Sequence, residues 1–495
     1  MKGGLRASMS WLHTWTGLIC GWLVFAVFAT GAASVFKPEI GAWTRPGLAA
    51  HSDPAAALQR AADAIRREHP EATSFTVEAP DARARDMESY WSDARGVFEQ
   101  AWRDPATGAT GAGPRTSGGE LFYRFHFELM TPYPYGRLAA CLAAVFFLSA
   151  IVSGVITHKR IFADFFTFRP AKGGQRAWLD GHNVLGVLAL PFHLFIALTG
   201  VLTLATTFMP FGPLGAYGED TAAFFADSAP ATRDLPPATG RPAPLVPVAP
   251  LVAAARRQFH GEVGRMTVEK PGDAAARIIL YRDLARCISH ADQAMVFDGV
   301  SGRVLSAPAA DGPAMAAYEF LYGLHMAEFS GPALHWLYFL GGLSGCGLIA
   351  TGLVLWTVSR RRKLARPHFG FRLVEVMNAG VVMGMALAIA GFFWASRLLP
   401  AHLADRPAAE RHVFLATLAA AVLYSACRPQ RRVWAELAAA AALLFAGAPL
   451  ISALTGGRNL VRSFQAGDMA MVAADLTLAA LGAGFAFIAV RAAKA

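Results

Sequence analysis

The amino-acid sequence predicts an all-α polytopic membrane bundle of about eight spans with two small α+β insertions, its first four spans forming an internal parallel duplication. Of the 495 residues, 54% are hydrophobic and only 16% are charged, whereas soluble domains carry roughly a quarter charged residues. Long uncharged runs alternate with ordinary polar stretches, and the first of these repeat a single pattern. This composition excludes a purely soluble enzyme, a disordered chain, a coiled coil and a β-barrel porin.

Uncharged runs of about 20 residues, the length that a helix needs to cross a bilayer, define the predicted spans. The first four spans and the two long polar segments between them are predicted at 1–36, 37–136, 137–158, 178–208, 209–325 and 329–359. An extension over 373–495 is predicted to add about four spans. Within it, the run 412–427 is short for a span, and the last run contains Asp475, which would either relay protons or lie near the outer interface.

Basic residues indicate the orientation of the bundle. They cluster in the short loops that all fall on one side of the predicted spans: Lys2, Arg6, Lys159, Arg160, Lys172, Arg176, Arg360, Arg361, Arg362, Lys363, Arg428, Arg431 and Arg432. Because Lys and Arg accumulate on the cytoplasmic side, both termini are predicted to be cytoplasmic and both polar segments to face outward. The net charge of +10 then reflects topology, and no nucleic-acid partner is predicted.

The membrane runs share a pattern of histidine and glycine. His13 in the first span and His182 in the third are each followed one turn later by a glycine, and at equal distance by a Thr-Gly pair. A Tyr-x-x-His motif ends each polar segment, with His126 in the first copy and His325 in the second. A Ser-Gly or Thr-Gly pair follows each motif at nearly the same spacing. These matches predict that the first four spans are two copies of one module.

The two polar segments also resemble each other. Each begins with a helical pattern ending in an Arg-Arg pair, continues with Thr-Val-Glu at 76–78 or 267–269, and closes at an Asp-x-x-x-Gly turn. Each segment therefore predicts one helix followed by short strands. The repeated module is helix, α+β insertion, helix. Both copies run in the same direction, which predicts parallel repeats about an axis along the membrane normal.

The four recurring histidines are the candidate site residues. We expect His13 and His182 to share a cytoplasmic layer, and His126 and His325 to share an outer layer, each pair face to face across the bundle. Two facing neutral imidazoles suit a planar iron porphyrin with axial ligands above and below, and cofactor sites in bundles are built from inward side chains on facing helices. The pattern therefore predicts two haem groups bound by these four residues.

Three further histidines lack a symmetric counterpart. His193 is predicted on the same helix as His182, about 16 Å deeper, where it would ligate the outer haem or a mid-membrane site. His158 ends the second span and is a further candidate ligand, and His335 begins the fourth span. For all three, an ordinary hydrogen-bonded role is the favoured interpretation, least strongly for His193.

Zinc is the competing metal at these positions. Glu128, Asp180 and Glu328 lie near three of the four histidines in the sequence, and zinc takes carboxylate as well as imidazole ligands. A zinc site needs about four converging ligands, and the two predicted layers are too far apart to form one such site. The carboxylates would otherwise orient the histidines by hydrogen bonds.

The sequence motifs of this chain resemble those of the PepSY-associated transmembrane family. The similarity covers about residues 1–370, and the two insertions correspond to PepSY-like domains. It rests on Trp11-Leu12-His13-x-Trp15-x-Gly17, His182-Asn183-Val184-Leu185-Gly186 and Thr351-Gly352-Leu353-Val354-Leu355-Trp356. The extension over 373–495 departs from the compact members of the family, and its role is left open.

This resemblance implies a function. Iron-regulated inner-membrane proteins and ferric-siderophore reductases belong to the family, so it implies a bacterial inner-membrane location, periplasmic insertions and b-type haems. It also implies electron transfer to a periplasmic ferric siderophore. Residue by residue, it implies that His13, His126, His182 and His325 ligate haem iron.

The resulting hypothesis is a transmembrane electron conduit, a ferric-chelate reductase-type oxidoreductase. Electrons from an unidentified cytoplasmic or quinol donor would cross the two haem layers and reduce a ferric siderophore, or another ferric chelate, held between the insertions. No catalytic residue is predicted. Two alternatives remain open: a transporter for a siderophore or small molecule, because repeats are common in transporters, and a PepSY-type regulatory or binding membrane protein without redox activity.

Overall fold

The structure is a computed structural model, and the chain forms two compact units. The helical unit comprises Met1–Thr44, Pro114–Phe208 and Gly331–Ala495, and the sheet unit comprises Arg45–Gly113 and Met209–Ser330. The structure describes residues 4–45, 53–81, 83–84, 87–111, 114–158, 174–228, 235–285, 287–291, 293–308, 312–361, 363–456 and 459–494. The predicted basic-loop residues Lys2, Lys159, Arg160, Lys172 and Arg362 lie outside these residues.

Helices make up most of the described chain, with strands confined to the sheet unit. The helices are α1 (Leu5–Ser34), α2 (Lys37–Thr44), α3 (Pro54–Glu68), α4 (Glu120–Glu128), α5 (Tyr135–Thr157), α6 (Gly174–Leu188), α7 (Leu190–Thr203), α8 (Ala205–Phe208), α9 (Phe211–Tyr217), α10 (Thr221–Ser228), α11 (Val248–Phe259), α12 (Pro313–Met326), α13 (Pro332–Arg361), α14 (Phe369–Leu398), α15 (Arg406–Cys427), α16 (Gln430–Gly456), α17 (Leu460–Gln465) and α18 (Met469–Ala493). The strands are β1 (Ala72–Glu78), β2 (Met87–Asp93), β3 (Phe98–Arg103), β4 (Val263–Glu269), β5 (Arg277–Arg282), β6 (Ala294–Asp298) and β7 (Val304–Ser306).

The protein is a multi-pass membrane protein. Among the described residues, six helices are long and apolar enough to cross a membrane: α1, α5, α13, α14, α16 and α18. The pair α6 and α7 passes the same test as one bent span, which makes seven. The predicted run 412–427 corresponds to α15, which is not among these helices. Its first turns carry Arg406, Glu410 and Arg411, so its uncharged part is shorter than a bilayer requires.

The third predicted span is broken, and the expectation of one continuous helix from His182 to His193 was wrong. The axes of α6 and α7 differ by 67° across a break at Ala189. Pro191 stands in the first turn of α7. Proline has no backbone N–H and its ring clashes with the preceding turn, so it is accommodated at the start of a helix and not in its interior. His193 therefore does not lie 16 Å along the same axis as His182.

The C-terminal extension is part of the core of the helical unit. Helix α14 is the most enclosed span, with 78% of its most apolar stretch buried, against 28–44% for the five other long spans. It packs against α15 and α16 of the extension and also against α1 and α13. Since α14 is apolar on nearly every side, it is surrounded by protein and not by lipid.

The sheet unit holds one antiparallel sheet of seven strands in the order β3-β2-β1-β4-β5-β6-β7. Along β1 and β4, buried Phe75, Val77, Met266 and Val268 alternate with more accessible residues, as side chains do on a sheet with one covered face. The amphipathic helices α3 and α11 cover that face and complete its hydrophobic core. Each polar segment therefore contributes a helix followed by strands, as the sequence predicts.

The two polar segments meet at the centre of this sheet. Strand β1 pairs with β4 in a register that places Thr76 opposite Thr267, and their hydroxyl oxygens are 2.9 Å apart. These are the two threonines that align in the Thr-Val-Glu motifs. Because the strands are joined edge to edge by hydrogen bonds, a chelate cannot lie between the segments at this junction.

Candidate functional site

The side chain of His13 is held by a backbone carbonyl of a neighbouring helix. The residue lies on α1, and its Nδ1 is 2.8 Å from the carbonyl oxygen of Ala150 on α5. The ring lies directly over Gly154, where an added Cβ would be 3.0 Å from the ring carbon Cε1. A carbonyl can only accept, so Nδ1 carries the proton and Nε2 presents a lone pair. This is the tautomer of a metal-binding histidine that coordinates through Nε2.

His182 has the same surroundings on the other side of the bundle. It lies on α6, and its Nδ1 is 2.9 Å from the carbonyl oxygen of Leu348 on α13. An added Cβ at Gly352 would be 3.0 Å from its Cε1. The Thr351 hydroxyl is a further neighbour of Nδ1 at 3.3 Å. The contacts of His182 therefore repeat those of His13, with the carbonyl four residues before the glycine in both cases.

The structure brings His13 and His182 together. Their ring centroids are 6.1 Å apart, with an angle of 64° between the ring planes. Within the described part of the chain, neither Nε2 has a hydrogen-bond partner. Two metal–imidazole bonds of about 2 Å each, with Nε2 about 1.2 Å from its ring centroid, would separate the centroids by about 6.4 Å. The spacing therefore fits one metal ion held by both imidazoles.

His126 follows the same arrangement at another level of the helical unit. It lies near the end of α4, with Nδ1 2.8 Å from the carbonyl oxygen of Val27 on α1. An added Cβ at Gly31 would be only 2.7 Å from the ring. Burial lowers the pKa of His126 below its ordinary value, and the bond to Val27 opposes this shift only in part. The imidazole is therefore neutral at pH 7, as a metal ligand must be.

His325 lies in the sheet unit, at the end of α12. On the same helix, the ring of Tyr322 stacks on His290 at 4.5 Å between centroids. His290 also lies 3.6 Å from a Glu328 carboxylate oxygen. His126 belongs to the helical unit and His325 to the sheet unit, and their pairing stays a prediction.

His193 and His158 are shielded inside the helical unit. His193 is fully buried and its Nε2 lies 3.1 Å from the Ser344 hydroxyl. That hydroxyl already donates to Gly341, so it accepts from His193, whose Nδ1 is left as a buried acceptor without a partner among the described residues. The Nδ1 of His158 is likewise buried without a partner there. Within the part of the chain that the structure describes, the ring nitrogen without a partner is therefore Nδ1 in His193, but Nε2 in His13 and His182.

The carboxylates considered for zinc have basic partners. Asp180 pairs with Arg176 at 3.0 Å, and Glu128 is bonded by Arg124 at 3.1 Å. Within the described residues, no three His, Cys, Asp or Glu side chains converge as a metal site.

Asp475 joins elements of the helical unit. The indole N–H of Trp43 on α2 donates to it at 2.9 Å. Arg397 of α14 lies over the Trp43 ring at 4.3 Å. The contact of Asp475 thus connects α18 of the extension to α2.

Sequence reasoning found the histidines but missed what orients them. Gly154 and Gly352 belong to the repeated Ser-Gly and Thr-Gly pairs, for which the sequence predicted no function. The recurrence of these pairs after each Tyr-x-x-His motif was the one feature of the sequence that indicated a role.

The fold and the histidine arrangement define a multi-pass membrane protein in which half-buried imidazoles lie on facing helices and an antiparallel sheet unit is inserted between spans. Residues 10–359 match the PepSY-associated TM region, and the chain belongs to this family. It is also similar to an uncharacterized protein of Pseudomonas aeruginosa, with 28% identity over 331 residues that cover 63% of this chain and 80% of that protein. The extension lies beyond the family match.

Proposed function

We propose that this protein is an inner-membrane di-haem b electron-transfer protein that reduces a periplasmic ferric siderophore or another ferric chelate. The observation that carries the proposal is the His13–His182 pair, with centroids 6.1 Å apart. Each Nδ1 is bonded to a carbonyl of a different helix, which leaves each Nε2 as a lone-pair donor. Within a membrane bundle, polar groups are costly and indicate function by default.

The chain's own residues would hold and orient the cofactors. His13 and His182 would hold one haem, and His126 and His325 would hold the other. The carbonyls of Ala150 and Leu348 hold the imidazole rings in place and raise the basicity of the ligating nitrogens. Bound haem iron supplies reversible one-electron chemistry.

An internal duplication would account for two closely similar histidine sites on different helices. His13 with Gly154 and His182 with Gly352 share one geometry. The pairing of Thr76 with Thr267 at the sheet centre supports a two-fold axis between the copies. Each copy would then contribute one histidine to each layer.

The proposed orientation places both termini in the cytoplasm and the sheet unit in the periplasm. It requires eight spans, with α15 crossing the membrane and α6 with α7 counted as one. A ferric chelate would then meet the sheet unit, while a cytoplasmic or quinol donor would supply electrons at the His13–His182 layer. Hard oxygen ligands bind ferrous iron more weakly than ferric iron, so reduction releases it.

The absorbance spectrum of the purified protein tests this proposal. We expect a dithionite-reduced α band at about 560 nm, because bis-histidine b-type haem gives such a band, and about two haems per chain. Protein purified from cells supplied with haem precursor and showing no such band would refute the conduit and favour the transporter or the regulator.

Histidine variants test the assignment of the ligands. His182→Ala and His325→Ala should each remove about half of the bound haem, because each removes one axial ligand of one site. His335→Ala is the matched control, since the Nδ1 of His335 is hydrogen-bonded at 3.0 Å to the carbonyl oxygen of Gly331, the residue before its helix. This variant should keep the full haem content. Full haem content in both test variants would contradict the pairing.

A further inference from the structure

Asn378 of α14 bridges two helices of the family region. Its Oδ1 accepts a hydrogen bond from the indole N–H of Trp22 on α1 at 2.9 Å. Its Nδ2 donates to the carbonyl oxygen of Leu353 on α13 at 3.0 Å. The side chain is only 2% exposed. One amide from the extension thus uses both of its ends to join α1 to α13.

These three groups depend on one another. In the membrane interior no water can replace a missing partner, and each unsatisfied polar group is costly. The amide of Asn378 satisfies the Trp22 indole and occupies the second lone pair of the Leu353 carbonyl. A sliding of α1 along α13 would break at least one of the two bonds. The pair of bonds therefore selects one register between these helices.

That register bears directly on the His13–His182 pair. Leu353 follows Gly352, against which the His182 ring lies. The Leu353 side chain in turn packs on Gly21, the neighbour of Trp22, where an added Cβ would be 2.9 Å away. His13 lies on the same helix as Trp22. Asn378 therefore connects the helix that carries His13 to the helix whose backbone holds His182.

We propose that Asn378 is a positioning residue for the cytoplasmic haem, and that α14 of the extension sets the relative position of His13 and His182. This inference rests on the proposed function. Axial-ligand orientation is one of the levers by which a protein tunes a haem. The extension then adjusts the redox potential of one of the two haems through a contact that touches neither the haem nor its ligands.

Two variants and one matched control test this role in the full-length protein. Asn378→Leu removes both hydrogen bonds at similar volume, and Trp22→Phe removes one while keeping an aromatic ring. Trp394→Phe is the control, because the Trp394 indole donates to the Leu444 carbonyl at 2.8 Å on the same helix α14 but away from α1 and α13. The readouts are a redox titration and the low-spin EPR signals. The signal that is lost in His182→Ala identifies the cytoplasmic haem.

We expect both test variants to retain haem but to shift the potential and EPR signal of the cytoplasmic haem alone, with both haems unchanged in Trp394→Phe. Thermal melts of all variants measure the purely structural effect. If the test variants and the control lose equal thermal stability and the cytoplasmic signal does not move, Asn378 contributes packing only and the inference is overturned. A wild-type protein without haem would instead overturn the proposed function, and the positioning role with it.

Discussion

Three histidines of the helical unit are held by one device that combines a carbonyl with a glycine four residues later. In an α-helix each carbonyl points toward the residue four positions on, whose side chain normally covers it. A glycine there uncovers the second lone pair, and an imidazole N–H from a neighbouring helix can reach it. The pairs are Ala150 and Gly154 for His13, Leu348 and Gly352 for His182, and Val27 and Gly31 for His126.

Gly31 gives the sharpest test of this device. A Cβ there would lie 2.7 Å from the His126 ring, so Gly31→Ala must displace the imidazole. We expect the variant to lose about half of the bound haem, measured by the pyridine haemochrome method. Gly484→Ala is the control, because nothing lies within 4 Å of that position, and it should keep full haem content. An unchanged haem content in Gly31→Ala would show that His126 does not need this geometry.

At this scale, repetition in the sequence was enough to single out the histidines but not their partners. The Ala150 carbonyl lies 137 residues from His13, and backbone carbonyls leave no mark in a sequence. The different tautomer of His193 was equally invisible, because it depends on the hydroxyl of Ser344, which lies on a separate helix.

Helix α15 begins inside the protein, and its first turns carry two buried charged residues. Arg406 and Glu410 form an ion pair of 2.7 Å with 1% and 0% of their side chains exposed. Glu410 also accepts from the Thr116 hydroxyl at 2.9 Å and the Ser117 N–H at 2.7 Å. The start of α15 therefore anchors the chain segment that leads into α4.

Breaking this pair should be costly. Arg406→Leu leaves the Glu410 carboxylate buried without its cation, and we expect a loss of about 3–5 kcal/mol of stability. Arg124→Leu is the control, since Arg124 is 55% exposed and pairs with Glu120 and Glu128, each four residues away on the same helix, and exposed pairs contribute about 0–1 kcal/mol each. Thermal melts in detergent provide the measurement. Equal effects of the two variants would contradict the buried role.

In the sheet unit, Asp273 fastens a loop to the turn between β4 and β5. Its carboxylate accepts hydrogen bonds from the backbone of Ala275, from the backbone and hydroxyl of Thr239, and from the backbone of Gly240. These bonds, with that from Ala275 the largest cause, lower the pKa of Asp273 to about 2. The charged form is thus the form that the folded loop stabilises.

A pH dependence follows from this shift. Because the folded pKa is depressed, the stabilisation is present above about pH 3.8, the unfolded value, and is lost as the pH falls toward 2. We expect Asp273→Ala to melt at a lower temperature than wild type at pH 5, with the difference shrinking toward pH 2. Thr239→Val, which removes one donor, should show a smaller difference. A gap between wild type and Asp273→Ala that does not change with pH would contradict the assignment.

The sequence predicted helices and strands correctly where a hydrophobic pattern extends over many residues. It predicted them less well where a single residue determines the structure. Apolar alternation in β1 and β4 predicted strands, and the uncharged runs predicted α1, α5 and α13. The pairing of β1 with β4 could not be predicted, since strand order depends on contacts distant in the sequence. The break at Pro191 was visible as a proline, but its 67° bend depends on the packing around it.

For the whole molecule, the proposed topology depends on whether α15 crosses the membrane. With α15 counted and α6 with α7 taken as one span, there are eight crossings, and the proposed orientation then puts both termini in the cytoplasm. We expect alkaline phosphatase fused after Lys494 to be inactive, because its disulfides form only outside the cytoplasm, and the same enzyme inserted at Gly240 to be active. Activity of the Lys494 fusion would instead indicate seven crossings.

The pairing of β1 with β4 also orders events during synthesis. The first strands are synthesised long before β4, which follows α6 and α7 in the chain. One edge of β1 therefore has no partner strand while two membrane spans are made and inserted. Open edges invite pairing with other chains. Newly made protein should therefore be most prone to aggregation during the interval between the synthesis of the first segment and the synthesis of the second.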